Sequence, residues 1–352
     1  MNAMKKRFVD ALAFGGIALM AACGAPGMLT GSSGVAAGGQ VTGPGSGGAT
    51  SGSVAGSVNP VCDEMALEAT HVAPNLMFVV DASGSMNEYP NDDPNQVDTK
   101  IDLTRKAVGE LLQAGQGNIR FGWEQFPGNG GRCSAGQVQV ECSDTSSATI
   151  QSKLGQLSSD SFGTPTGESL LNVLQSQSMQ DKTRSNFVVL LTDGMPNCPQ
   201  GNESGAEALA LQAVQQLRVK SIETFVIGLG QSLNSSNPAL LDQLAEAGGR
   251  ARVGAANKYY AVNTLSELQG VLTSIGGVVF QCSFALQRTP ENPGDLRVNF
   301  DGVSVARDPS AKEGFSYDPQ KNQILIHGAA CEKVRAGQVK KVDIKMGCAP
   351  PA

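Results

Sequence analysis

The stretch Asn75-Leu76-Met77-Phe78-Val79-Val80-Asp81-Ala82-Ser83-Gly84-Ser85-Met86 is apolar from Leu76 to Val80, then turns abruptly to small oxygen-bearing side chains. A strand with one wet face alternates apolar and polar residues, whereas a strand covered on both faces reads as a continuous apolar run. A second such run, Phe187-Val188-Val189-Leu190-Leu191, passes straight into Thr192-Asp193-Gly194. Both runs are read as central strands of a mostly parallel sheet, and each ends on an aspartate. Open sheets of this type bind ligands at the carboxyl ends of their strands. Asp81 and Asp193 therefore mark a candidate site.

On either side of these runs, strand-like and helix-like segments alternate. Ile101 to Leu112 carries apolar residues at helical spacing, and Ala206 to Val219 places Leu209, Ala213 and Leu217 on one face. Ser169–Leu174, Pro238–Ala247 and Leu265–Ile275 read as further helices. Ile119–Phe126, which holds the single tryptophan Trp123, reads as a strand, as do Glu223–Leu229 and Tyr259–Val262. The pattern predicts an α/β domain over 61–278: a doubly wound, mostly parallel sheet with helices on both faces. After Gly276-Gly277 the helical spacing stops. Val279–Ala285, Leu296–Phe300, Gly302–Ala306, Gln323–His327 and Val339–Met346 are β-rich and separated by turn residues. Residues 279–352 are expected to form a small antiparallel β domain, or else an extension that completes the α/β domain.

The chain has 352 residues, 26 Lys and Arg against 32 Asp and Glu, and a formal charge of −6. It has no basic stripe of the kind a nucleic-acid binder needs. At the N-terminus Lys5-Lys6-Arg7 precede an apolar run from Ala11 to Ala22, shorter than the ~20 residues of a membrane-spanning helix. This is the layout of a secretory signal. It ends Leu19-Met20-Ala21-Ala22-Cys23-Gly24, which resembles the lipobox of bacterial lipoproteins, with Met20 where leucine is usual. That resemblance implies a signal peptide over 1–23, lipidation at Cys23, and export to the cell envelope on a lipid anchor. Gly24 rather than aspartate after the cysteine implies the outer membrane. Residues 24–60, rich in Gly, Ser, Ala, Thr and Val and without charge, are expected to form a disordered tether.

Beyond Cys23 lie Cys62, Cys133, Cys142, Cys198, Cys282, Cys331 and Cys348. In an exported chain this usage implies disulfides, and an odd number leaves at least one thiol free or paired between chains. Cys133 and Cys142, close together in a Gly/Ser/Gln-rich stretch, are the expected bridge. One pair is expected among Cys282, Cys331 and Cys348. Cys198, five residues beyond Asp193, suits a disulfide holding that loop better than catalysis. With only His71 and His327 and no CxxC pair, zinc is not expected.

Three segments gather hard oxygen donors: Asp81-Ala82-Ser83-Gly84-Ser85, Gly163-Thr164-Pro165-Thr166-Gly167 and Leu191-Thr192-Asp193-Gly194. Magnesium takes near-octahedral oxygen ligands, keeps several waters and is held by one or two carboxylates. Two serines, a threonine and two aspartates meet that requirement. DASGS, GTPTG and LLTDG, in this order and on these elements, resemble the von Willebrand factor type A domain and its metal-ion-dependent adhesion site. The resemblance covers the chain from about residue 60–62 to 278. It implies a divalent cation held by Asp81, Ser83, Ser85, Thr164 and Asp193, with Thr166 as a secondary candidate for the threonine role. It implies Mg²⁺ first, with Mn²⁺ or Ca²⁺ as alternatives, and a protein or peptide partner whose carboxylate completes the coordination.

The acidic segment from Asn91 to Asp98 lacks the EF-hand pattern and reads as a solvated insertion. No GxSxG elbow or Walker A motif occurs, and no GxGxxG joins a strand to a helix. The expectation is a lipid-anchored envelope protein that recognises its partner without chemistry. Its membrane contact would be the anchor alone, and its oligomeric state is not legible. A permanent assembly subunit with a structural ion is the alternative. A metal-assisted hydrolase ranks third, because the nearest acids, Glu88 and Glu168, have no evident partner.

Overall fold

The structure, a computed structural model, describes residues 65–67, 69–91, 97–159, 162–199, 201–231, 238–336 and 338–346. The signal segment, Cys23, the tether, Cys62 and Cys348 lie outside the described residues. In chain order the elements are β1 (Met65–Leu67), β2 (Ala69–His71), β3 (Asn75–Asp81), α1 (Lys100–Ala114), β4 (Arg120–Phe126), β5 (Gln137–Ser143) and α2 (Ser146–Gln156). Then follow α3 (Thr166–Val173), β6 (Asn186–Thr192), α4 (Glu203–Val219), β7 (Ile222–Leu229), α5 (Pro238–Ala247), β8 (Tyr260–Val262) and α6 (Leu265–Val279). The remainder is β9 (Cys282–Leu286), β10 (Leu296–Phe300), β11 (Val303–Val305), β12 (Gly314–Asp318), β13 (Gln323–His327), α7 (Gly328–Arg335) and β14 (Val342–Met346).

The main sheet has six strands in the order β5-β4-β3-β6-β7-β8. It is parallel except for β5, which runs antiparallel to β4 along the edge. Every residue of β3 and of β6 is buried, as their unbroken apolar runs require. Successive side chains of β3 enter opposite cores. Leu76, Phe78 and Val80 pack with Trp123 under α1, α2 and α6. Met77 and Val79 pack with Val188 and Leu190 under α3, α4 and α5. Helix α1 starts at a reciprocal cap: the Thr99 hydroxyl accepts from the Asp102 amide, and the Asp102 carboxylate accepts from the Thr99 amide. The chain leaves β3 toward β4 and returns on the other side at β6. The strand order therefore reverses between β3 and β6, and the carboxyl ends of these two strands open onto the switch point.

The last strands form two four-stranded antiparallel sheets, β1-β14-β10-β11 and β12-β13-β9-β2, around a separate core that includes Phe284, Val298, Phe315, Ile324 and Ile344. Beyond strands β5 and β12 and helix α2, which the sequence reading does not anticipate, two features differ from the sequence expectation. Residues 65–71, assigned there to the α/β domain, pair with β14 and β9, so both flanks of the α/β domain feed one β unit. The C-terminal segment also contains a helix, α7. Three-residue strands and an eight-residue helix are too short to show a period, and the partners of β1 and β2 lie far along the chain. A disulfide between Cys282 and Cys331 ties β9 to α7, as the expected pair within this segment. Among the described residues no helix is long and apolar enough to cross a membrane.

Candidate metal centre

Asp81 is the last residue of β3 and is fully buried. Its Oδ1 accepts the Ser83 amide at 2.9 Å, and its Oδ2 accepts the Thr192 hydroxyl at 2.7 Å. The chain then turns through a short 3₁₀ segment, Gly84–Asn87, which brings the Ser83 and Ser85 hydroxyls within 3.1 Å of each other. Ser85 Oγ donates to Asp193 Oδ1 at 2.9 Å, joining the first loop to the third.

The second loop is held just as closely. Thr164 donates its amide to Asn197 Oδ1 at 2.7 Å, and the Asn197 amide returns a bond to the Thr164 carbonyl at 3.3 Å. A Cβ built on Gly194 would lie 3.7 Å from Thr164 Oγ1, so the threonine hydroxyl faces the residue that follows Asp193. Thr166 begins α3, and its buried hydroxyl has no hydrogen-bond partner among the described residues. The structure thus brings Asp81, Ser83, Ser85, Thr164 and Asp193 onto one end of the sheet, from three loops. Glu88 is mostly exposed beside them.

Two buried carboxylates in so small a volume repel each other. Burial, reinforced by the charge of Asp193, pushes the Asp81 carboxyl up to about 7. A cation between them would relieve both effects. The donor set of two carboxylates and three hydroxyls suits a hard divalent ion. The candidate donors are carboxylate and hydroxyl oxygens, with no thiolate or imidazole among them, which is the set a hard cation takes rather than the one zinc prefers.

The sequence reading missed three contributors. Lys100, the first residue of α1, is 2% exposed and donates to Asp193 Oδ2 at 2.8 Å. A lysine in the first turn opposes the helix dipole, and that unfavourable placement was its one legible signal. The second is Asn197, which holds the Thr164 loop and carries no sequence mark, whereas Thr192, which holds Asp81, already belongs to the donor segment Leu191–Gly194.

The third is a disulfide, which corrects an expectation. Cys133 is bonded not to Cys142 but to Cys198. Cys142 lies on β5 and points into the core beside Met179, where burial pushes its thiol up to about 12. Cys133 sits instead in the loop after β4, at the donor-bearing end. Gly163 packs against the bridge: a Cβ there would meet Cys198 Sγ at 2.8 Å and Cys133 Sγ at 3.0 Å, and its φ is +91°. One covalent link therefore braces the loop before Thr164 and the loop after Asp193. Cys198 does hold its loop by a disulfide, as its position suggested.

A cleft of about 930 Å³ opens at the opposite end of the strands, lined in part by Lys182, Arg184, Lys220, Arg250 and Lys321. It shares no residue with the donor cluster.

Comparison with known proteins matches residues 75–273 to the von Willebrand factor type A domain family. No curated protein matches the chain. Among solved structures, it is similar to the PilB minor pilin from Streptococcus sanguinis at 18% identity, covering 60% of this chain and 62% of that one, with a TM-score of 0.48. An aerotolerance-related membrane protein from Bacteroides fragilis is similar at 16% identity over 58% of this chain and 100% of the other, with a TM-score of 0.44. Manganese-loaded TRAP protein from Plasmodium vivax is similar at 20% identity over 60% of this chain and 76% of the other, with a TM-score of 0.40. The chain spans less than two thirds of the length of the pilin it matches.

Proposed function

Because the chain belongs to the von Willebrand factor type A domain family, we propose that it is a recognition protein of the cell envelope that binds an acidic protein or peptide ligand through a divalent cation. The observation that carries this reading is the convergence of Asp81, Ser83, Ser85, Thr164 and Asp193 on the switch point between β3 and β6. Mg²⁺ is the ion this donor set suits best. When bound, it would supply electrostatic attraction for a carboxylate of the partner.

The chain's own residues do the rest. Thr192 and the Ser83 amide fix both oxygens of Asp81, Asn197 fixes the Thr164 loop, and the Cys133–Cys198 bridge keeps the loops from spreading. Aromatic rings stand ready at the rim. Tyr89 is 50% exposed just after the first loop, and Phe162 is 65% exposed just before Thr164. Aromatic side chains are enriched among the residues that carry protein–protein binding energy. The reading is recognition without bond-making: the nearby Glu88 is taken up by Lys100 rather than poised against a substrate. Two disulfides support an oxidising, exported location, and the lipobox-like segment ending at Cys23 supports a lipid anchor.

Thermal melting in EDTA and in Mg²⁺ or Mn²⁺ tests the ion, and the metal should raise the midpoint. Identical curves would sink the site. Capture of a partner from envelope extracts should be released by chelator and restored by Mg²⁺. Retention in EDTA at full strength would place the partner on another face.

A further inference from the structure

We propose that Lys100 is a tethered cation that occupies the electrostatic role of the metal while the site is empty and limits how tightly the metal is held when it is present. This rests on the ion-binding reading above.

The side chain is built into the site rather than draped over it. Its backbone amide donates to the Glu88 carbonyl at 3.0 Å, which ties the start of α1 to the first donor loop. Its stem passes Gly230, just after β7, where a Cβ would come within 2.9 Å of Lys100 Cε. The ammonium points at three acceptors: Asp193 Oδ2 at 2.8 Å, the Ser85 carbonyl at 3.3 Å and Glu88 Oε2 at 3.5 Å. The Lys100 and Asp193 side chains are both essentially buried, so solvent screens their attraction little.

Two unfavourable choices meet here: a cation at a helix N-terminus and an ammonium taken out of water. Asp193 compensates both. The pairing also divides the work of its carboxylate, with Oδ2 held by Lys100 and Oδ1 turned toward the Ser85 hydroxyl. Without a metal, the ammonium keeps the Asp81–Asp193 pair from carrying uncompensated like charge. With a metal, the same ammonium stands beside a dication and repels it. The buried groups, two carboxylates, one ammonium and one dication, sum to about +1, with the exposed Glu88 carboxylate at the edge largely screened by solvent, and an acidic partner neutralises that buried charge. Lys100 thereby makes ion retention depend on the partner.

The test uses calorimetric titration of the full chain with Mg²⁺ alone, together with melting in EDTA. Lys100→Met should bind Mg²⁺ about tenfold tighter or more, because the competing charge is gone, and should melt lower in EDTA. The double variant Lys100→Met/Asp193→Asn should regain most of that lost midpoint, since no unpaired charge remains. A Lys100→Met protein with equal or weaker Mg²⁺ affinity overturns the proposal and leaves Lys100 a packing residue. If Lys100→Met does not fold, the double variant decides: recovery of folding supports the counter-charge role, and failure of both overturns it. A wild-type chain that takes up no Mg²⁺ defeats the ion reading instead, while the EDTA comparison still reports on the charge pair.

Discussion

At the scale of single residues, charge and hydrogen bonding separate ion binding from folding. Asp81→Asn removes a ligand charge yet keeps the shape: the Ser83 amide retains its acceptor, and the Thr192 hydroxyl turns to accept from the new amide while donating to the Gly194 carbonyl at 3.1 Å. Mg²⁺ affinity is expected to fall more than about a hundredfold, with an unchanged or higher melting midpoint in EDTA because a buried like-charge pair is relieved. A second buried carboxylate makes the opposite point. Glu124 on β4 is wholly buried with no hydrogen bond to either oxygen among the described residues, and burial pushes its carboxyl from 4.5 up to about 8. The folded state therefore holds this proton more tightly than the unfolded chain does. Its contribution to stability is full below pH 4.5 and is lost as pH rises toward 8. Denaturant titrations at pH 5 and pH 8, followed by the fluorescence of Trp123, should show a loss on the order of a few kcal/mol that Glu124→Gln abolishes. An equal pH slope in both proteins would assign the effect elsewhere.

At the scale of elements, the donor loops are tied to one another: Ser85 bonds Asp193, Asn197 bonds Thr164, and a disulfide joins the loop after β4 to the loop after Asp193. The Cys133–Cys198 bridge closes 65 residues of chain, which in the chain-entropy view is worth about 4 kcal/mol. Replacing both cysteines by serine should lower stability by an amount of that order and also weaken Mg²⁺ binding. The second effect distinguishes a loop brace from a simple staple, and calorimetry on the double-serine chain measures it. Spacing along the sequence suggested Cys142 as the partner of Cys133, and spacing was the wrong guide. Residues 137–143 form an edge strand whose alternation turns Cys142 inward, while Cys133 remains in the loop at the donor end. The strand itself was overlooked because its exposed positions are Gln and Glu, so its composition resembles a loop.

At the scale of the whole molecule, the α/β domain is flanked on both sides by strands of one β unit. β1 covers the edge of β14, and β2 covers the edge of β9. A chain lacking residues up to His71 should leave both edges bare, melt at a lower temperature than the full chain and self-associate with concentration in sedimentation. Unchanged melting and sedimentation would show that the two short strands are dispensable. The buried strands, the helices against them other than α2, and the placing of Asp81 and Asp193 at strand ends were legible in the sequence, because each depends on a few consecutive residues: an apolar run dictates burial on both faces, and the residue after it falls at the strand's carboxyl end. What only the tertiary structure decided was which distant segments meet. Cys198 reached Cys133, Lys100 reached Asp193, and residues 65–71 reached the C-terminal strands. Those contacts depend on the path of the chain around the sheet, and no local pattern encodes a partner that lies tens to hundreds of residues away.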